Sequence, residues 1–417
     1  MRGAWLLLLA VGLPMGAVAQ GSLDAGSPPR ARHALGGDWY FGGRLEGEYR
    51  RRNDYDLDAS HPDDQERLTL LHPSLAVAWR PAAPWSAYLN LEYQKHHYLS
   101  DEGRPTPDRA QLLLDKLFID YQGDWGLVRL GRQRIKHPRE WMIDDTQDGL
   151  RLYLQRPRWR LDLALLRERA FDEELLHGDT AKRVDSLWLR LSRPAEEAAR
   201  QALFLMLQDD KERNERAAWL GLEWLGEWEA LDYWLLGALV QGEKRGRELS
   251  GYGFDLGGLL RLVKRPRLYL VAGYAFGSGH EKDVDLGFRQ TGFQDNSAKL
   301  GGVTRFSYYG ELLDPELGNL SILTLGLGSR PRRDYSMHLM WHRYRQHHPL
   351  DELRDSDLDR DPEGRHTDLG QGLDLILGYR IRGRFKAEMV LARFWPGKAY
   401  GEADPATLVR LELKYNW

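Results

Sequence analysis

The sequence predicts an all-β chain folded as a transmembrane antiparallel β-barrel of about 18 strands, with short turns on one rim and long loops on the other. Three observations predict it. From Val409 to Trp417 every second residue is bulky and apolar: Val409, Leu411, Leu413, Tyr415 and Trp417. Arg410, Glu412, Lys414 and Asn416 lie between them. Successive strand side chains point to opposite faces, so this segment offers one face to hydrocarbon and the other to water. The same period of two recurs along the chain, and the segments between the periodic stretches alternate in length. The final aromatic residue is the third sign, since outer-membrane barrels often close on a strand that ends this way.

Residues 1–19 read as a secretory signal. Arg2 gives the positive start, Trp5 to Leu13 the short apolar core, and Ala17-Val18-Ala19 a cleavage site near Ala19. Residues 20–37, rich in Gly, Ser, Pro and Arg, form a flexible lead, and 38–417 form the barrel in the outer membrane. No segment offers the 18 or so consecutive apolar residues of a helical span. The absence of cysteine excludes a disulfide scaffold, cysteine ligation and thiol catalysis. A net charge of −3 argues against a general nucleic-acid binder. The 29% of charged residues is high for a membrane protein, but only alternate strand residues of a barrel meet lipid. The 15 Trp, 19 Tyr and 11 Phe suffice for two interfacial girdles.

Taken in order, Trp85, Ala87, Leu89, Leu91 and Tyr93 share a face opposite Ser86, Tyr88, Asn90, Glu92 and Gln94. Leu150, Leu152 and Leu154 oppose Arg151, Tyr153 and Gln155, and Leu187, Leu189 and Leu191 oppose Trp188 and Arg190. Leu268, Leu270, Ala272, Tyr274 and Phe276 form another face, as do Leu373, Leu375, Leu377 and Tyr379. This period is 2 rather than 3.6, so strands are predicted over helices. Short turns fall at 80–84, 123–124, 156–158, 226–227, 264–266 and 381–383. Long loops fall at 53–65, 99–108, 135–147, 168–183, 277–296 and 346–369. A simple count gives an odd number of strands. Single-chain bacterial barrels have an even number, with both termini on the short-turn side. Parity therefore makes 277–318 one long loop, folded inward as a candidate constriction or gate.

Arg129, Arg132 and Arg134 lie on one strand. Arg129 and Arg132 have opposite parity and share a face only if the strand bulges. They are read either as anion contacts in the lumen or as rim residues paired with Asp144, Asp145 or Asp148. His338 and His342 share a face but stand roughly 13 Å apart in an extended chain, too far for one metal ion. Asp351 to Asp361 lacks the spaced Gly and Glu of a calcium loop, so no cofactor is implied. An embedded hydrolase needs a nucleophile with an oriented base. Ser336 with His338 is the nearest approach, and no G-x-S-x-G elbow exists.

Several stretches resemble the alginate-export (AlgE-like) family of outer-membrane porins. They include Phe118-Ile119-Asp120-Tyr121, Val128 to Arg134, Asp145-Thr146 and Phe288-Arg289-Gln290-Thr291-Gly292-Phe293-Gln294-Asp295-Asn296. Gly310-Glu311, Glu316 to Leu320, Asp334-Tyr335, Gly370 to Leu375 and Phe394 to Tyr400 follow in the family's order. The resemblance implies an 18-stranded barrel that exports an anionic polyuronate passively through a basic lumen. It places Arg44, Arg134 and Arg305 on lumen cations and Asp145 on an acidic partner that orients them; Arg129, Arg132 and Arg151 complete the expected anion-contacting set. The chain departs from the pattern at His72, Asp115-Lys116, Asp314 and Glu388, which makes the lumen less basic. A periplasmic secretion partner is implied by the resemblance, alongside outer-membrane lipid and lipopolysaccharide around the barrel. The alternatives are an uptake porin for a small anionic or neutral solute and, further off, a lipid hydrolase.

Overall fold

The computed structural model describes residues 31–58, 60, 65–101, 109–178, 182–193, 199–381 and 383–417. The expected signal sequence and residues 20–30 of the lead lie outside them. Eighteen long strands follow in chain order: β1 (Trp39–Asn53), β2 (Gln65–Trp79), β3 (Trp85–Asp101), β4 (Arg109–Gly123), β5 (Gly126–Lys136) and β6 (Asp144–Gln155) come first. Next are β7 (Arg160–Arg167), β8 (Val184–Ser192), β9 (Ala199–Asp210), β10 (Glu215–Trp228), β11 (Leu231–Lys244) and β12 (Arg247–Lys264). Last come β13 (Arg267–Gly277), β14 (Leu320–Arg332), β15 (Tyr335–Gln346), β16 (Asp368–Ile381), β17 (Phe385–Pro396) and β18 (Ala406–Asn416). Each is antiparallel to the next, and β18 pairs with β1 from Arg44↔Asn416 to Asn53↔Thr407, which closes the cylinder. The end of the lead adds a short strand, His33–Gly36, against the start of β1.

The predicted alternation sorts the two faces. Leu220, Leu239, Leu270, Leu325, Leu339 and Leu413 are exposed on the outside. Their strand neighbours Trp219, Val240, Tyr269, Thr324 and Met340 are buried inside. The alternation of short and long connections is less strict than the sequence suggested. Residues 211–214 and 245–246 are tight turns on the long-loop rim. Arg245 and Gly246 both have positive φ (52° and 79°), which matches the right-handed twist of a hairpin.

Residues 278–319 are not part of the wall, because β13 pairs directly with β14 from Arg267↔Arg330 to Gly277↔Leu320. Ser297–Ala298 pairs only with Phe306–Ser307, so no strand crosses the membrane between Lys299 and Tyr309. An 18-stranded cylinder encloses more space than its own side chains fill. This segment fills it, with Phe288, Phe306, Tyr308, Tyr309, Leu313 and Leu317 buried. Phe288 lies directly against Gly251 and Gly253 of β12, where a Cβ would collide with it. Trp219 Nε1 donates to Arg289 O at 2.9 Å, and Tyr344 OH donates to Tyr309 O at 2.8 Å.

The wall itself bends once. β4 and β5 stop pairing at Leu117↔Arg132 although both strands continue. Beyond that point the β5–β6 hairpin turns inward, burying Ile135, Trp141, Met142 and Ile143 against the interior segment and bridging Ile143 to Phe293. The edge of β4 that it leaves is taken by residues 173–175. Leu114 N donates to Glu173 O and Leu175 N to Leu112 O, at 2.9 and 2.8 Å. An unpaired edge facing hydrocarbon would strand backbone polar groups at several kcal/mol each, so a substitute strand is required there.

Candidate functional site

The inward positions of β1–β6 carry several cations gripped by carboxylates. Arg129 makes a two-pronged pair with Asp120 of β4 at 2.7 and 2.8 Å, and its guanidinium lies 3.6 Å from the centre of the Phe118 ring. Arg151, its cross-strand neighbour, grips Asp162 of β7 at 2.6 Å through both nitrogens. Arg134 is paired with Asp144, Lys136 with Glu140 and Asp144, and Lys116 with Asp115. Arg305, on the interior segment, reaches Glu140 at 2.7 Å and Ser297 O at 2.5 Å. Such bidentate pairs fix the guanidinium plane.

Two cavities collect most of the expected residues. A narrow one of about 60 Å³ is lined by Arg129, Arg134, Lys116, Lys136 and Arg80, with the stacked rings of Tyr88 and Phe118 beside them. It has room for only a few waters (~10–15 Å³ each). The other, about 430 Å³ and reaching the short-turn rim, brings Arg44 and Arg305 together with Lys386 and Lys414. Arg44 also contacts Glu46 at 3.5 Å and Asn416 at 3.3 Å.

Two expected residues lie elsewhere. Arg132 pairs across the strand with Leu117, so it shares the outer face with Leu117 and Leu130 rather than the lumen. It bonds Asp148 through two 2.9 Å contacts and the carbonyl of Phe171, beneath the segment that patches β4. The reason is parity, which an arginine three residues along a strand cannot escape without a bulge; Arg134 shares Arg132's parity but lies past the point where the hairpin turns inward. Among the described residues Asp145 holds no arginine; its carboxylate accepts from Gln147 Nε2 at 3.1 Å, and the acid beside Arg134 is Asp144. Of the family departures, His72 lies 3.8 Å from Glu92, Asp314 accepts from Ser307 Oγ at 3.0 Å, and Glu388 sits near Arg410 and Lys386.

Sequence reasoning missed Lys386 and Lys414 as lumen residues. The signal was available for Lys414, on the water-facing side of the last strand, and pairing with β17 carries it to Lys386. His338 serves the interior segment, whereas His342 bonds the wall. His338 Nε2 lies 3.1 Å from Leu300 O and 3.2 Å from Tyr269 OH, and His342 Nδ1 lies 2.9 Å from Thr324 Oγ1. Ser336 Oγ accepts from Val303 N at 3.0 Å. Among the described residues, the carboxylates of Glu140, Asp144 and Asp295 converge as metal ligands would, but Arg134, Lys136 and Arg305 already supply the opposite charge.

On the long-loop side, residues 347–367 reach across the mouth. Asp357 N donates to Leu313 O, Asp359 N to Tyr55 O and Glu363 N to Ala399 O, while Leu353 and Leu358 are buried.

The chain matches the Alginate export family over residues 39–413. It belongs to that family. Among its relatives is the alginate production protein AlgE of Pseudomonas aeruginosa, 25% identical over 388 residues and covering 76% of each chain. The protein of the same name from Azotobacter vinelandii is 28% identical over 193 residues, 41% of this chain and 40% of that one. Solved structures share the fold at lower identity. Pseudomonas aeruginosa OccK11 (OpdR) superposes with a TM-score of 0.59 at 14% identity, over 91% of this chain and 96% of that one. Acinetobacter baumannii OccAB4 gives 0.57 at 10% identity, over 94% and 100%. This Alginate export family member is a closed outer-membrane barrel of bacteria, with the short turns toward the periplasm.

Proposed function

We propose that this barrel passes an anionic polysaccharide of the alginate class outward across the outer membrane, passively, through a bore narrowed by residues 278–319 and the β5–β6 hairpin. The observation that carries the reading is the set of lumen cations gathered in the two cavities. Arg44 and Arg305 line one cavity, and Arg129 and Arg134 line the other. A chain of carboxylates needs compensating charge throughout its passage, and guanidinium supplies it without deprotonating. The attraction at each station has to stay weak enough for release to the next. The carboxylates beside Arg129, Arg134 and Arg305 do this, since they cancel much of each charge while holding it in place. Arg151 supports Arg129 and Arg134 from behind, with Nη1 3.4 Å from Arg134 O.

The interior segment acts in this reading as a fixed constriction. It is seated by Phe288, Tyr309 and the Trp219 bond, and an outward step requires the 347–367 loop to move. Ser336 and His338 take no catalytic part, because they hold the segment's tip.

The test is ion selectivity in planar bilayers. In a salt gradient the native barrel gives a reversal potential on the anion side. Arg134→Glu with Arg305→Glu moves it toward cations, and oligouronate added to the bath interrupts the native current. A reversal potential unmoved by the double substitution rejects the lumen path.

A further inference from the structure

The cations at the short-turn mouth differ from those above them. Two cavities open there, about 1340 and 430 Å³, joined through Lys299, Val303 and Arg380. The larger is lined by eight basic residues and one acid, Asp334; the smaller by eight basic residues and no acid. Lys299 is the tip of the interior segment, which has threaded the bore from the far rim to reach this mouth. Arg267, Arg330, Arg380 and Arg384 stand around it, and among the described residues none of these five has a carboxylate partner. Arg330 satisfies its guanidinium on the carbonyl of Arg333 instead.

Strand register sharpens the point. Arg267 is directly opposite Arg330, and Arg380 is directly opposite Lys386. Like charges facing each other across a ladder destabilise a sheet. Carboxylates are plentiful elsewhere in this lumen, and one at either site would remove the repulsion. The mouth thus holds a concentrated positive field that the carboxylates of the described residues only partly offset, at the rim that faces the periplasm. Its size matters too. A cavity of 1340 Å³ exceeds the roughly 300–1,000 Å³ that wraps one small molecule, so several linked units fit better than a single solute.

We propose that this vestibule is a capture site, at which Lys299, Arg267, Arg330, Arg380 and Arg384 bind the leading end of a carboxylated sugar chain before it meets the narrow bore. The proposal rests on the export reading above and adds a binding step with its own residues. Free side chains at the mouth can follow a flexible polyanion, and a funnel of one charge sign raises the local concentration of its ligand and its on-rate. The paired arginines Arg129, Arg134 and Arg305 are held and part-neutralised, which suits transit.

The experiment uses the full barrel in planar bilayers with a hexameric oligouronate in one chamber at a time. The readout is the on-rate of current blocks. Native barrels are blocked faster from the short-turn side. Replacing Arg267, Arg330 and Arg380 together by Gln lowers that on-rate by about tenfold, within the 10–10³ range of electrostatic steering, and leaves block from the other chamber as it was. A charge-matched control, Lys282→Gln with Arg213→Gln and Arg365→Gln on the long-loop rim, keeps the native short-turn on-rate. An unaltered on-rate in the rim triple variant, with block persisting in the native barrel, overturns the capture site and leaves the export reading standing. Equal block by monomeric uronate at the same carboxylate concentration also overturns it, making the vestibule a small-anion site. A native barrel that oligouronate never blocks from either chamber brings down the export reading and the capture site together.

Discussion

Arg129 and Arg330 are both inward-facing arginines of one basic lumen, yet they are held in opposite ways. Arg129 is buried, locked to Asp120 and stacked on Phe118; Arg330 stands at the mouth opposite another arginine and, among the described residues, bonds only a carbonyl. A count of lumen charges would weigh the two equally. The difference lies in the neighbours. A paired cation contributes position, whereas an unpaired one contributes field. One wall therefore carries both a guided path and a strong attractor without changing residue type.

The contrast predicts where substitutions harm folding and where they harm binding. The largest expected effect is at the locked site. Arg129→Gln strands the buried Asp120 carboxylate and costs about 3–5 kcal/mol, read as a lower unfolding temperature in detergent. Adding Asp120→Asn restores part of it, because the unpaired charge is gone. Arg330→Gln, with no carboxylate to strand, stays within about 0.5 kcal/mol in the same assay. If the two single variants lose equal stability, the distinction between locked and free cations is wrong.

A second break targets the constriction. Gly253→Val pushes a side chain into Phe288 and costs about 1–3 kcal/mol of local packing. Single-channel conductance rises as the interior segment loosens, while the wall keeps its heat-resistant mobility on gels. Unchanged conductance would mean that Phe288 does not seat the segment.

The smallest effect comes from pH. Burial, then Arg380, Arg305, Lys386 and Arg330, push the Lys299 ammonium down to about 8. A lowered base pKa means that the charged form is disfavoured in the folded protein. As pH rises from 7 to 9, Lys299 loses its charge. Oligouronate block from the short-turn side weakens by about twofold, and the segment's tip sits more firmly. In Lys299→Gln this pH response disappears, because arginines do not titrate there.

Much of this was legible in the sequence, for reasons tied to particular residues. The period of two through Leu150, Leu187, Leu270 and Leu413 is a direct consequence of the strand pleat, so the faces and the closed wall followed from it. Parity placed 277–318 off the wall before any contact was known. Arg129 and Arg132 were also separable by parity, and only the assumption that neighbouring arginines share a task put Arg132 in the lumen. The inward turn of the β5–β6 hairpin left no such mark. It depends on residues 173–175 pairing with Leu112 and Leu114, about 60 positions away, in place of β5, a tertiary exchange that no local pattern encodes. For the same reason Asp144 and Asp145 could not be told apart: their strand leaves the sheet where they stand, and simple alternation ends with it. The unpaired mouth was invisible because pairing, unlike charge, is a property of register between strands distant in sequence.

The patch over β4 has a consequence for how such a tube is tuned. A cylinder that lends part of its circumference to its own interior keeps its seal only while a borrowed stretch, Glu173 to Leu175, stays zipped to Leu112 and Leu114. Leakiness of the bore is thereby governed from the lipid-side skin, at residues that never touch the cargo. Variation there can widen or narrow the passage while every charge inside keeps its place.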